Sequence, residues 1–472
     1  MKIKFNFLII SLLCLFCGVE IFIGCSDEYP QNVESPNETI LKSIKILNAG
    51  VDGNTVIEGK IDENKKTVWF PRIDPETNVS AIRFEATMSD GAKLDKDAYA
   101  FDFEEGKDAK TIIVKVINEP RFREYFVTLR LNVPVYGADF DKIEIYDHSG
   151  NDLGEPIYST FVSNLTRGSG FDGENILIVT RSEPLSHILK VDDIKAGRIE
   201  PIKLNMTGVS GGTYPVNVGG KIKGHTYIAN LSGAYGMKIY HWANPEDEPE
   251  VIFNKNVISI EGAGKRHGDN MSTNIDENGN GYFYFGDNAA SSILRLKVEN
   301  YTKITEVKVL PSQPGVSFCM TMNRVENSDD YLLTGFDAPI MVTNRDAVVS
   351  YKMDVTSVPE QGTDARIVSF NGERYLIVTE APRYTGNAVL YIYDVTQGKN
   401  TAEALKKFEE GEKKPLYQYS LGGSVNPAPG TQTGYYIVKD ENGKDDVLRI
   451  YSASNNAGFV LLEIPKKKLD DE

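Results

Sequence analysis

Cysteine and histidine are scarce in this sequence, with four and five copies among 472 residues. Three of the four cysteines fall within the first 25 residues, so Cys319 stands alone in the rest of the chain and a disulfide framework is excluded. No HExxH pattern occurs, and Cys14 and Cys17 form a CxxC only within the apolar N-terminal stretch, so the common zinc motifs are missing from the rest of the chain. We therefore expect no cofactor and no metal, and we expect Cys319 to be a buried core thiol.

Positive charge is also in short supply. The chain has 51 Lys and Arg against 67 Asp and Glu, and its formal net charge is −16. Because an acidic surface repels phosphate backbones, we expect no nucleic-acid partner. Hydrophobic residues make up 41% of the chain, which is enough for large packed cores and excludes disorder for most of it.

A clean apolar run of about 20 residues, as a membrane span requires, is missing from the N-terminus. Lys2 and Lys4 precede an apolar stretch that Glu20 interrupts, which is the layout of a secretory signal over residues 1–24. A transmembrane anchor is the alternative. The stretch ends in "FIGCSDEYP", and its Phe22-Ile23-Gly24-Cys25 resembles a bacterial lipobox.

The lipobox resemblance implies that Cys25 is the lipidated N-terminus of the mature chain and that residues 25–38 form a polar tether. The Ser, Asp and Glu that follow Cys25 resemble the export signal of surface lipoproteins of the Bacteroidetes type. This resemblance implies an outer-membrane protein, held by a lipid anchor and facing the cell exterior.

Residues 39–135 form the first predicted domain. Runs rich in β-branched and aromatic residues, such as "AIRFEATM", "TIIVKVI" and "YFVTLRLNV", are separated by turn clusters such as "IDENKK" and "MSDGAK". This pattern predicts a small β-sandwich with Trp69 in its core. The order of these pieces resembles the Ig- or cadherin-like modules near the N-terminus of Bacteroidetes surface lipoproteins, which implies a spacer.

Residues 139–472 carry an internal repeat. Six times a tight turn precedes an apolar strand, a short loop and a second strand; the turns are "FDGEN", "VGGKIKG", "DENGNG", "ENSDD", "FNGER" and "DENGKDD". The strands after these turns begin near residues 176, 226, 282, 331, 375 and 447. Most of the spacings suit four-stranded propeller blades of roughly 40–50 residues, and "QGKNTAEALKKFEEGEKK" in the longest one predicts a short helical insertion.

The repeat therefore predicts an all-β chain in which an Ig-like β-sandwich precedes a β-propeller, with six blades by count and seven as the alternative. The segment "KIEIYDHSGNDLGEPIYSTF" either closes the ring against the last blade or belongs to a seventh. A β-sandwich or solenoid array is the rival fold. Radial closure is preferred because it leaves only short, protected sheet edges. The sequence leaves open whether the central channel is filled.

Lipobox, Ig-like module and propeller together resemble a family of Bacteroidetes lipoproteins defined only as a domain of unknown function. Members of such families accompany glycan-uptake systems. The resemblance implies a polysaccharide or oligosaccharide ligand, with outer-membrane uptake proteins as a second class of partner, and it carries no assigned site residues.

Ligand-binding residues are expected on one face of the propeller, where the loops before the innermost strands and the loops between second and third strands emerge together. Sugars are bound by aromatic rings with planar polar groups beside them. The Lys265–Asn270 loop has the highest density of charged and polar side chains among these loops. The predicted ligand-binding residues are Tyr214, Tyr235, Arg266, His267, Asp269, Asn270, Asp287, Arg383 and Tyr384.

No catalytic constellation stands out, so we expect a binding protein rather than an enzyme. Gly208–Gly212 matches G-x-S-x-G, but a nucleophile elbow needs a helix after its turn and "TYPVNVGG" follows here. One alternative function is a protein-interaction subunit of an outer-membrane uptake complex. Another is a propeller glycosidase or lyase that uses His267 with Asp269 or Arg266.

Overall fold

A computed structural model describes most of the chain. The described residues are 36–104, 106–153, 157–233, 235–316, 319–359, 361–383, 386–423 and 425–469. The predicted signal segment, Cys25, most of the tether and Tyr384 lie outside these ranges. Within them, no helix is both long and apolar enough to cross a membrane.

The chain divides into two compact units between Pro134 and Val135. The first unit contains β1 (Leu41–Ala49), β2 (Thr55–Glu58), β3 (Lys60–Asp62), β4 (Thr67–Trp69), β5 (Phe84–Met88), β6 (Lys93–Leu94), β7 (Ala109–Asn118) and β8 (Arg121–Arg130). One sheet has the order β2-β1-β5 and the other β3-β4-β8-β7-β6, in which only β4 and β8 pair in parallel. Alternate residues of these strands share one core.

Trp69 was expected in the core of the first unit, and this expectation is wrong. Side chains of β4 alternate between the two faces of the sheet, so the buried Val68 leaves Trp69 on the outer face with 39% of its surface exposed. There Lys60 Nζ lies 4.6 Å from the ring centroid of Trp69, a cation–π contact.

The second unit contains six four-stranded sheets among the described residues. Sheet 1 consists of β10 (Thr166–Phe171), β11 (Asn175–Thr180), β12 (His187–Lys190) and β13 (Ile202–Lys203); sheet 2 of β14 (Tyr214–Ile222), β15 (His225–Leu231), β16 (Met237–Trp242) and β17 (Glu250–Lys255); and sheet 3 of β18 (Ser272–Ile275), β19 (Gly281–Gly286), β20 (Ser292–Glu299) and β21 (Lys303–Pro311).

The remaining three sheets follow the same plan. Sheet 4 consists of β22 (Thr321–Arg324), β23 (Tyr331–Gly335), β24 (Ala338–Thr343) and β25 (Val349–Lys352); sheet 5 of β26 (Gly362–Phe370), β27 (Glu373–Glu380), β28 (Ala388–Asp394) and β29 (Tyr417–Gly422); and sheet 6 of β30 (Thr431–Lys439), β31 (Asp445–Ser454), β32 (Gly458–Pro465) and β9 (Glu144–Ser149). Helix α1 (Val191–Lys195) follows β12, and helix α2 (Thr401–Glu410) lies between β28 and β29.

The all-β fold is confirmed, and so is the helical insertion, which is α2. The segment that was expected either to close the last sheet or to join a seventh does the former: β9 pairs antiparallel with β32 from Glu144 to Ser149. The strands that follow the predicted turns are the second strands of the sheets, and the turns are their hairpins. In one of them Asp276 Oδ1 accepts hydrogen bonds from the backbone N–H groups of Asn278 and Asn280, both at 2.9 Å.

Each sheet of the second unit is apolar on both faces. Six separate hydrophobic clusters each join one sheet to the next, and one of them joins sheet 6 to sheet 1, with Phe171 and Leu189 against Tyr451 and Phe459. The first strands likewise contact one another in succession, and β10 contacts β30. Trp242 packs between sheets 1 and 2 and donates from Nε1 to the carbonyl of Asn205 at 2.9 Å.

The glycines of β10 allow the first strands to approach closely. The glycine-rich segment "RGSGFDG" lies mostly within β10. A Cβ atom at Gly168 would lie 2.6 Å from the Cα of Val218 in β14, which is closer than packed carbon atoms come. Glycine in a strand interior marks such a backbone approach rather than a turn.

Gly168→Ala is expected to lower the free energy of unfolding of the second unit by about 1–3 kcal/mol, because the added methyl group has no room against β14. Gly411→Ala is the matched control, since the nearest atom to its new Cβ would be the Phe408 carbonyl oxygen at 3.4 Å. Melting temperatures from circular dichroism compare the two. Equal melting temperatures would contradict the proposed close packing of β10 on β14.

Candidate functional site

The upper end of the second unit is defined here as the end of the six sheets at which the first strands begin. Because each sheet is an antiparallel meander, the connections between second and third strands also lie there. The described members of the predicted site all occupy this end. They are Tyr214, Tyr235, Arg266, His267, Asp269, Asn270, Asp287 and Arg383.

The polar side chains of residues 266–270 mostly bind one another and their neighbours. Arg266 donates from Nε to Asp269 Oδ2 at 2.9 Å and from Nη2 to Asn288 Oδ1, and its Nη2 forms an ion pair with Asp269 Oδ2 at 2.8 Å. Asn270 is 6% exposed, and its Oδ1 accepts from the backbone N–H of Met271 at 3.0 Å. The charge of Arg266 is therefore already neutralised within the loop.

His267 is fully buried. Its backbone N–H donates to Ser232 Oγ at 3.0 Å, and its Nδ1 lies 3.2 Å from the carbonyl oxygen of Gly286. Burial lowers the pKa of the His267 imidazole, and the nearby Asp287 opposes this shift only in part. His267 thus links the upper ends of sheets 2 and 3 through these contacts. Its buried imidazole has no surface to offer a ligand.

Asp287 is a structural cap. Its carboxylate accepts hydrogen bonds from the backbone N–H groups of Ala289, Ser291 and Ser292, at 2.6, 2.8 and 2.6 Å, and from both serine hydroxyls. Burial by itself would raise the pKa of Asp287, but these hydrogen bonds outweigh it and hold the pKa below its usual value. Both carboxylate oxygens of Asp287 already accept hydrogen bonds from the protein, so Asp287 has a structural role.

Tyr214 lies on a cleft of about 630 Å³ between sheets 1 and 2 at the upper end. Its side chain is 41% exposed, and the guanidinium carbon of Arg181 lies 3.4 Å from its ring centroid. The rest of the cleft is largely apolar, with Leu165, Leu185, Met206 and Val209 among its lining residues. An exposed ring beside a planar cation in an apolar cleft has the composition of a small-ligand site.

Tyr235 and Arg383 lie on other connections of the upper end. Tyr235 is 60% exposed on the connection between β15 and β16. Arg383 follows β27, and its guanidinium carbon lies 4.8 Å from the ring centroid of Phe336.

Cys319 is buried where the connections of several sheets meet. Its Sγ lies 3.3 Å from the carbonyl oxygen of Pro429, ahead of β30. Burial raises the pKa of this thiol to about 12, and it feels the charges of Arg167, Asp269 and Arg383 from sheets 1, 3 and 5. The expectation of a buried thiol is confirmed, although Cys319 precedes β22 rather than lying within it.

Sequence reasoning missed two functional candidates, Arg167 and Arg181. They lie in the segments "RGSGFDG" and "RSEPLS". No local sequence signal marks either arginine, and Glu183 even lies two residues after Arg181, so only the tertiary structure shows which partners they have.

A second cavity, of about 240 Å³, lies among the first strands. Polar side chains line it, and Asp364 accepts from Asn323 Nδ2 at 2.7 Å and from the backbone N–H of Thr433. This space is much smaller than the cleft beside Tyr214. Across the described ranges, no group of three or more His, Cys, Asp or Glu side chains is arranged to hold a metal ion.

Asp287→Asn is expected to lower the free energy of unfolding at pH 7 by about 1–3 kcal/mol, because the hydrogen bonds to its charged oxygens weaken. The pKa of Asp287 is lower in the folded state, so its contribution is present above pH 4 and is lost as the pH falls through the folded pKa. The gap in melting temperature between the wild type and the variant should therefore narrow below pH 4. A gap that stays constant from pH 7 to pH 3 would contradict the capping role.

Comparison with known proteins assigns the chain to a family. Residues 27–467 match the domain of unknown function DUF4623. A crystal structure of a DUF4623 family protein from Bacteroides eggerthii is 43% identical, with a TM-score of 0.79 over 92% of this chain and 100% of that one. The N-terminal domain of Nup159 (11% identity, TM-score 0.32, 64% of this chain and 76% of that one) and BamB from Moraxella catarrhalis (10%, 0.30, 77% and 84%) are much less similar. None of the curated proteins matches. The chain belongs to the DUF4623 family.

Proposed function

We propose that this protein binds an extracellular glycan, without catalysis, at the cleft between sheets 1 and 2. The observation that carries the proposal is the half-exposed ring of Tyr214 beside the guanidinium of Arg181, in a cleft of about 630 Å³. A sugar ring has an apolar C–H face for an aromatic side chain and hydroxyl groups for planar polar groups.

The architecture we propose around this site is a six-bladed β-propeller that follows an Ig-like β-sandwich. Support for the propeller comes from the six sheets, the inter-sheet cluster that joins sheet 6 to sheet 1, and the pairing of β9 with β32. The shared core of the two sheets in the first unit supports the sandwich.

The proposed location is the outer membrane, with the chain lipid-anchored through Cys25 and facing the exterior. Its support is the lipobox-like Phe22–Cys25 and the polar segment after it. Residues 1–35 lie outside the described ranges. A polysaccharide or oligosaccharide ligand suits such a location.

The enzyme alternative needed His267 as a reactive group with Asp269 or Arg266. Its ring has no exposed surface, and Asp269 and Arg266 are paired with each other, so the geometry offers no support for that reaction. A protein-interaction subunit of an uptake complex is the remaining alternative, to be tested by co-purification of partners.

Tyr214→Ala is expected to weaken binding of a retained polysaccharide about fivefold or more, because the sugar loses its aromatic platform. Tyr136→Ala is the control: Tyr136 is 57% exposed but lies against Gly372, in the β26–β27 hairpin at the opposite end of sheet 5. Affinity gels with a panel of plant and bacterial polysaccharides, followed by calorimetry, measure both.

Retention of no polysaccharide by the wild-type protein, together with a stable protein partner in pull-downs, would favour the interaction alternative. Equal losses for Tyr214→Ala and Tyr136→Ala would place the glycan elsewhere on the surface.

A further inference from the structure

Two arginines at the upper end carry positive charge and have no ion-pair partner among the described residues. Arg167 in β10 is 5% exposed, and its Nη1 donates to the carbonyl oxygen of Ala428. Arg181, directly after β11, donates from Nη2 to Asn217 Oδ1 and stacks on Tyr214. The Nε atoms of both arginines are buried and have no hydrogen-bond partner among the described residues.

Two other arginines of this unit with little exposed side chain are neutralised. The Arg295 side chain, 5% exposed, pairs with Glu306 at 3.1 Å and Asp346 at 2.9 Å. Arg449, 12% exposed, pairs with Glu463 at 2.7 Å. Buried charges in proteins are ordinarily paired because desolvation is costly. Arg167 and Arg181 have no such acidic partner among the described residues, in a chain whose net charge is −16.

The two guanidinium groups also oppose each other. The pKa of Arg181 is lowered to about 10, mainly by burial and also by the positive charge of Arg167, and the opposing effects of Tyr214 and Asp269 offset the shift only in part. An anion beside Arg181 would relieve both the desolvation and the repulsion. A site with these properties is completed by a negative group from outside the chain.

We propose that the bound ligand is an acidic glycan, whose carboxylate or sulfate group is held by Arg181 with the charge of Arg167 behind it. This inference rests on the glycan-binding function proposed above and names the class of glycan. Arg181 lines the cleft and can reach a ligand directly. A guanidinium fork matches the paired oxygens of a carboxylate or sulfate, and the apolar lining around it suits the sugar ring.

The region around Arg167 and Arg181 is positive, whereas the chain as a whole has a net charge of −16. An acidic surface disfavours the approach of an anionic polymer over much of its area, and a locally positive region attracts it. Binding should therefore concentrate at the cleft, and it should weaken as the ionic strength rises.

The test compares two pairs of probes, each differing only in charge: polygalacturonate with its methyl ester, and dextran sulfate with dextran. Calorimetry on the full chain should show the anionic member of one pair binding at least about tenfold more tightly than its neutral counterpart, as loss of a charge-assisted hydrogen bond predicts. A preference within the polygalacturonate pair would indicate a carboxylate ligand, and a preference within the dextran sulfate pair would indicate a sulfate ligand.

The variants are Arg181→Gln and the charge-matched control Arg345→Gln, whose exposed side chain lies on the β24–β25 turn at the opposite end of sheet 4. Arg181→Gln should lose about tenfold or more in affinity for the anionic probe and a clearly smaller factor for the neutral one, while Arg345→Gln keeps both affinities. The melting temperature of Arg181→Gln should not fall, because the substitution removes a charge that has no acidic partner among the described residues. Should Arg181→Gln fail to fold, Arg181→Lys, which keeps the charge and loses the fork, replaces it and should weaken binding by a smaller factor.

Equal binding of charged and neutral probes, or equal losses in both variants, would overturn the inference and leave the glycan-binding function standing. If no polysaccharide binds, the glycan-binding function fails, and titration with sodium glucuronate and sodium sulfate decides the anion site separately. Saturable binding that is absent in Arg181→Gln supports the anion site, and an absence of saturable binding overturns it.

Discussion

Burial of both faces of every sheet in the second unit is the constraint on which the rest of its structure depends. Antiparallel sheets often leave one face in water, and their strands then alternate apolar and polar residues. Here the second strands are largely buried: β11 reads "NILIVT" with five of its six residues buried. Such sheets are stable only if each is covered on both sides, and the six inter-sheet clusters, which include one between sheets 6 and 1, meet that requirement.

The same packing decides where a ligand can bind. The first strands of successive sheets contact one another. Strand β10 has Gly168 at a position where a side chain would clash with the backbone of β14. The space left among the first strands is about 240 Å³ and is lined by polar groups that bond to one another. Room for a larger ligand exists at the upper end, where the cleft beside Tyr214 holds about 630 Å³.

Polar density in the sequence proved a poor guide to reactivity. Residues 265–270 hold two cations, an imidazole, a carboxylate and an amide, yet the structure uses most of these groups to fasten one connection to its neighbours. Arg167 and Arg181 are the opposite case, because each has only neutral hydrogen-bond partners. Which hydrogen-bond and ion-pair partners a side chain has depends on its neighbours in three dimensions, and the polar density of a sequence segment does not show them.

The sequence by itself determined the all-β fold, the sixfold repeat, the helical insertion and the face on which the connections gather, because strand periodicity and hairpin turns are local in origin. It also indicated a buried Cys319. Only the tertiary structure decided that β9 completes the last sheet, since that pairing joins residues more than 300 positions apart. It likewise placed Trp69 on an outer face, neutralised Arg266, buried His267 and left Arg181 without an acidic partner, because the electrostatic state of a side chain depends on neighbours that the fold brings from other sheets.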